Sequence, residues 1–146
     1  MFRGHFRHTI DPKGRLSIPA KFREVLSEGL GERLVIVPNG DALDVHPLKV
    51  WEALEARIAA LPKLDPDARK YRYAYVSRGL DVTLDPQGRI QISPDYRERS
   101  GLVKDVLIIG MTEHFEVWDH ERWAHFQRDN GGALDELRGR LAAKGV

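Results

Sequence analysis

Apolar positions run along this chain in two rhythms. Phe6, His8 and Ile10 alternate with Arg7 and Thr9. After Asp11-Pro12-Lys13-Gly14 the alternation resumes with Leu16 and Ile18 around Ser17. Alternation on both sides of a tight turn predicts a β-hairpin. The turn chemistry is specific: Asp bonds its own backbone, Pro presets φ, and Gly accepts a positive φ at the fourth position. Residues 34–37 and 106–109 are continuous apolar runs and predict buried strands, with partner strands over residues 42–45 and 114–118. Short helices are expected over residues 20–26 and 94–99, opened by Pro19 and by Ser93-Pro94, where a missing N–H costs nothing.

The second rhythm is helical. After Pro47, the residues Val50, Trp51, Leu54, Ile58 and Leu61 recur at helix spacing. Asp119 caps a matching helix through Trp123 and Phe126. Asp65-Pro66 opens a third, expected to run to a C-cap at Gly79. Tyr71, Tyr73 and Tyr75 could also line a strand face, but the Ala68/Tyr71/Tyr75 spacing favours the helix. Asn130-Gly131-Gly132 breaks the chain, and a last amphipathic helix from Ala133 carries Leu134, Leu137 and Leu141.

The pattern occurs twice. Thr9-Ile10-Asp11-Pro12-Lys13-Gly14-Arg15-Leu16-Ser17-Ile18 returns 74 positions later as Thr83-Leu84-Asp85-Pro86-Gln87-Gly88-Arg89-Ile90-Gln91-Ile92. Phe22-Arg23-Glu24 returns as Tyr96-Arg97-Glu98. The offset then becomes 72, aligning residues 34–37 with 106–109, Leu43-Asp44-Val45 with Phe115-Glu116-Val117, and Trp51 with Trp123. The slip falls near Gly29 and Gly31, where a loop tolerates it. Each unit reads as hairpin, short helix, hairpin, longer helix. One unit has too few strands to bury both its apolar faces. The expectation is a single β-rich barrel in which the two units are related by a pseudo-two-fold.

Composition is that of an ordinary globular domain, with 42% hydrophobic and 31% charged residues. The absence of cysteine removes disulfides, thiolate metal sites and cysteine nucleophiles. No apolar stretch approaches a membrane span, and the first residues lack the apolar region of a secretion signal. The net charge of +1 by itself predicts no nucleic-acid partner, but it hides a pattern. Residues 1–25 carry +4, residues 26–62 carry −3, residues 63–100 carry +2 and residues 101–146 carry −2. The two basic segments are largely the same part of each repeat and could form one positive face; equally, blocks of this size occur as plain solvated surface.

Candidate chemistry is sparse. No serine lies in a nucleophile-elbow sequence, and no phosphate-binding glycine loop is present. His5 and His8, and His114, His120 and His125 near acidic groups, lack the helical pairing of a zinc protease, so no metal site is expected. The repeats share turn, core and arginine, with no acid–base pair beyond Asp11 and Asp85. No catalysis and no cofactor are expected.

The strongest feature is the doubled Asp-Pro-x-Gly-Arg. One reading is structural, with Asp11 capping the turn and pairing Arg15, and Asp85 doing the same for Arg89. The other is that each arginine leaves its turn at a fixed angle and reads a nucleic-acid groove, where its fork takes two hydrogen bonds from guanine or grips a phosphate. Arg3, Arg7, Lys13 and Lys21 would then add phosphate contacts.

Met1-Phe2-Arg3-Gly4, the following Ile10-Asp11-Pro12-Lys13-Gly14-Arg15 and the second Asp-x-x-Gly-Arg resemble the MraZ family over essentially the whole chain. The resemblance implies an α+β fold made of a duplicated AbrB-like (SpoVT-AbrB) swapped-hairpin β-barrel with flanking helices. The repeats would span residues 1–62 and 80–128, with a connecting helix over 63–79 and a helical tail over 129–146. It implies a cytoplasmic, nucleoid-associated transcriptional regulator, usually a repressor, acting on the division and cell-wall gene cluster and its own promoter. It implies binding to short G-rich direct repeats in double-stranded DNA and assembly into a homo-oligomeric ring without a membrane partner. The family's motif residues fall on Asp11, Arg15, Asp85 and Arg89. Proline after both aspartates departs from the family pattern and stiffens the turns. An oligomeric protein-interaction scaffold that binds no DNA is the alternative.

Overall fold

The computed structural model describes residues 1–131 and 133–146 as a mixed α+β fold. The elements are β1 (His5–Thr9), β2 (Arg15–Ser17), α1 (Ala20–Val25), β3 (Arg33–Asn39), β4 (Ala42–Pro47), α2 (Leu48–Ala59), α3 (Pro66–Ala74), β5 (Leu80–Thr83), β6 (Arg89–Gln91), α4 (Pro94–Arg99), β7 (Asp105–Gly110), β8 (Phe115–Asp119), α5 (His120–Asn130) and α6 (Leu134–Ala142). All strand pairing is antiparallel. A six-stranded sheet runs β1-β7-β8-β4-β3-β5, and β2 and β6 form a separate two-stranded ribbon.

The sheet order carries the duplication. Exchanging the repeats maps β1 onto β5, β7 onto β3 and β8 onto β4, and returns the same order. The register agrees: Thr9 faces Asp105 as Thr83 faces Arg33. Two cross-strand pairs map onto themselves, Asp44 with Glu116 and Leu16 with Ile90. The pseudo-dyad therefore passes through both.

Leu16 and Ile90 lie in the main core with Ile18, Ile92, Leu34, Ile36, Val106, Ile108, Phe2, Phe22 and Phe115. This core fills the space between ribbon and sheet. Strand alternation sends Val35 and Val37 to the sheet's other face, where Trp51 of α2 covers them with Tyr75 and Val76. Ile109 and Trp118 lie on the same face under Trp123 of α5. Trp51 is thus buried on its own sheet at 4% exposure.

Three expectations are corrected. The predicted hairpin between β1 and β2 does not form as a ladder. The turn is present, but only Ile10 and Leu16 bridge its arms; β1 pairs with β7 and β2 with β6, both from the other repeat. Alternation specifies which face of a strand is buried, not its partner, and pairing across the axis puts Leu16 against Ile90. Second, the sheet is open, with β1 and β5 as its edges, and is not closed into a barrel. The chain leaves each edge strand through an Asp-Pro turn, and proline has no N–H with which to extend the ladder. Third, α3 ends at Ala74, short of Gly79. Tyr75 leaves helical geometry, and Gly79 is extended rather than a left-handed cap. Gly79 presses against Trp51, leaving 2.7 Å where a Cβ would stand.

Other boundaries agree within a residue or two. Asp119 caps α5 through Arg122 N, Ser93 caps α4 through Tyr96 N, and Asp65 caps α3 through Asp67 N and Ala68 N. Of the predicted break before α6, Gly132 lies outside the described residues.

Candidate nucleic-acid interface

Each Asp-Pro-x-Gly-Arg segment builds the same device. Gly14 N donates to Asp11 O at 2.9 Å, closing the turn, and Gly14 has φ +82°. The Asp11 carboxylate then accepts from Lys13 N and Arg15 N, both at 2.9 Å, and from Arg15 Nε at 2.6 Å. In the second copy Asp85 accepts from Gln87 N and Arg89 N at 2.9 Å and from Arg89 Nε at 2.8 Å. The backbone N–H of the arginine leads the interactions that hold each carboxyl below the ordinary aspartate pKa of 3.8, with the guanidinium adding to it. One carboxylate thus fixes both the backbone and the side chain of its arginine. Among the described residues, the Nη nitrogens of Arg15 and Arg89 meet no acceptor.

The ribbon brings the two devices together. Arg15 stands opposite Gln91 and Ser17 opposite Arg89. Leu16 and Ile90 between them point into the core, so both arginines project on the outer face. Their side chains are 36% and 28% exposed.

Arg23 and Arg97 belong to this face and were missed in the sequence. Arg97 Nε donates to Ile92 O at 3.2 Å, and its guanidinium lies over Gly14 of the opposite repeat. Arg23 Nε donates to Ile18 O at 3.1 Å and lies over Gly88. Each turn is therefore braced by an arginine from the other repeat. The repetition of Phe22-Arg23-Glu24 as Tyr96-Arg97-Glu98 was the available signal.

The remaining basic candidates divide. Lys13 is exposed within the first turn, and its carbonyl accepts from Gln91 Nε2 at 3.2 Å. Lys21 is exposed on α1, directly after the ribbon. Arg7 lines a groove of mixed charge, with Lys104 and His120 beside Asp105, Asp119 and Glu121, rather than a purely basic surface. Arg3 lies beyond the start of β1, beside Gly110 and at the opposite end of that strand from the turn. The structure also gathers Asp44, His46 and His114, on the side of the sheet away from the ribbon.

Among the described residues no helix is long and apolar enough to cross a membrane. The family model described as "MraZ protein, putative antitoxin-like" matches residues 1–72 and again 79–136. A protein of Acetivibrio thermocellus named transcriptional regulator MraZ is 37% identical over 147 residues, covering 100% of both chains. One of the same name from Desulfitobacterium hafniense is 40% identical, again over 100% of both. A third, from Pelotomaculum thermopropionicum, is 40% identical over 94% of this chain and 92% of its own. With two repeats, two arginine turns and relatives matched from end to end, the chain belongs to the MraZ family.

Proposed function

We propose that this chain is a transcriptional regulator that binds double-stranded DNA through the outer face of the β2–β6 ribbon, with no catalytic role and no cofactor needed for binding. The observation that carries this reading is the pair of arginines on that face, each oriented by its own aspartate. Nε is committed to the aspartate. Nη1 and Nη2 remain, the pair of donors that suits guanine O6 and N7 or a phosphate. Lys13, Lys21, Arg23 and Arg97 supply further positive charge beside them. The relatives' names support the regulatory role. The proposed target is short G-rich direct repeats in the promoter of the division and cell-wall gene cluster and of the protein's own gene, usually for repression, in the cytoplasm at the nucleoid.

The segments 1–62 and 80–128 act in this reading as two AbrB-like units joined by residues 63–79 and followed by the tail from 129. The exchange of strand partners between repeats supports the swapped-hairpin kinship. Phe126 on α5 and Leu134, Leu137 and Leu141 on α6 are exposed apolar residues. They offer a surface for head-to-tail contact between copies, which closes into a ring when the rotation allows.

The aspartate–arginine ion pairs also suit a scaffold that binds no DNA. A mobility-shift titration with the DNA upstream of the protein's own gene, repeated across salt concentrations, separates the two. A DNA-binding protein loses affinity along a log–log slope of about −0.9 per phosphate neutralised. A scaffold gives no shift even at low salt.

A further inference from the structure

On the helix-covered side of the sheet, the pseudo-dyad passes through a buried polar cluster. Asp44 and Glu116 face each other across β4 and β8. Asp44 is 2% exposed and His46 7%. Tyr75 donates its hydroxyl proton to Asp44 Oδ2 at 2.5 Å, and the Tyr75 hydroxyl oxygen in turn accepts from His46 Nε2 at 2.8 Å. That chain leaves Nε2 as the protonated nitrogen of His46 and Nδ1 as a bare lone pair. Asn39 Nδ2 completes Asp44 Oδ2 at 3.0 Å. Two deeply buried atoms of this cluster then have no hydrogen-bond partner among the described residues, Asp44 Oδ1 and His46 Nδ1. Both are acceptors, so an added protein acceptor cannot satisfy them, whereas a cation satisfies both.

We propose that Asp44, His46 and His114 form a binding site for a divalent transition-metal ion of the zinc class. One ligand atom from each residue lies within 4.8 Å of the other two. Two imidazoles and one carboxylate are a donor set of zinc enzymes and of nickel, cobalt and copper sites, and a poor one for calcium or magnesium. Glu116 contributes charge. It places a second carboxylate directly across from Asp44, a like-charge pairing that is unfavourable in a sheet and that a divalent cation relieves. Its own oxygens are engaged by Trp118 Nε1 at 2.8 Å and approached by His114 Nε2 at 3.9 Å.

His114 is the movable ligand. Its ring stacks on His46 with centroids 4.6 Å apart and planes 16° from parallel. Near-parallel rings cannot both aim a lone pair at one point, so the His114 ring turns as the ion enters. It has room to do so, because its side chain is 24% exposed while His46 is fixed by Tyr75. The site would tie β4, the approach to β8 and, through Tyr75, the end of α3 into one unit on the repeat axis. The repeat equivalents of His46 and His114 are Trp118 and Ala42, so the duplication supplies one such site and not two.

Zinc chloride titrated calorimetrically into the chelator-treated full chain tests this directly. The proposal expects saturable binding of one ion per chain, with a rise in melting temperature that saturates at the same ratio. His114→Gln changes a partly exposed residue and should leave the circular dichroism spectrum intact. It should weaken binding at least about tenfold, the loss that removing even an outer partner of a metal ligand causes, and should abolish the thermal response. His120→Ala should change neither. Absence of saturable binding overturns the proposal, as does equal binding by wild type and His114→Gln. A loss seen in His120→Ala instead would assign the ion to surface histidines and overturn it as well.

Discussion

Arg15 and Arg89 stand diagonally across the β2–β6 ribbon, on the face opposite Leu16 and Ile90. Diagonal neighbours in an antiparallel pair are roughly 7–8 Å apart. Residues 74 positions apart in the chain thus share one small surface beside the pseudo-dyad. The apolar pair beneath fixes the register, and a one-residue slip would turn both arginines inward.

The turn that launches Arg15 requires glycine twice over. Gly14 has φ +82°, and a Cβ there would lie 2.5 Å from the Ile92 carbonyl oxygen. Gly88 has φ +75°, but its nearest obstruction is the flexible Arg23 side chain. Gly14→Ala should therefore destabilise the fold by about 1–3 kcal/mol, and Gly88→Ala by less. Urea unfolding of both variants checks the order.

Asp11 and Asp85 make part of the stability pH-dependent. Their carboxyls are held below 3.8 by bonds to Arg15 and Arg89, so the folded state favours the ionised form. The contribution is fully present above pH 3.8 and is lost as pH falls through the lower folded-state values. Melting temperatures measured from pH 5 down to pH 2 should fall more steeply for the wild type than for the Asp11→Ala, Asp85→Ala double variant. Parallel curves would mean that these aspartates do not couple to folding.

Trp51 and Trp123 are repeat equivalents in unequal settings. Trp51 is 4% exposed beneath Tyr75 and Val76, which follow α3 and have no counterpart over α5. Trp51→Ala should cost about 3–5 kcal/mol, and Trp123→Ala clearly less in the isolated chain. Equal losses in dilute denaturant titrations would contradict this packing.

How much of this was legible follows from what each pattern encodes. The apolar runs over residues 34–37 and 106–109 were readable because those strands are covered on both faces, by ribbon and core on one side and helices on the other. The turns were readable because Asp, Pro and Gly each do a local job. Pairing partners were not, since the alternation around Leu16 names a face and not a neighbour. The bracing of Gly14 by Arg97 and of Gly88 by Arg23 was hidden for the same reason. The Leu43-Asp44-Val45-His46 alternation reads as a strand with one wet face. Here that face is covered, and the polar cluster draws on Tyr75 and His114 from distant segments.

The central claim rests on Arg15. Operator DNA from upstream of the protein's own gene, titrated against wild type, Arg15→Ala and Arg89→Ala with size-exclusion profiles as the folding control, tests it most directly. The first turn is the more basic, with Lys13 where the second has Gln87 and Lys21 where the second has Asp95. Arg15→Ala should lose about 1–3 kcal/mol of specific binding per site if the arginine reads guanine, with an unchanged elution profile, and Arg89→Ala should lose less. Wild-type affinity in Arg15→Ala, or a loss that appears only together with a collapsed assembly, would contradict the account and make the arginine purely structural.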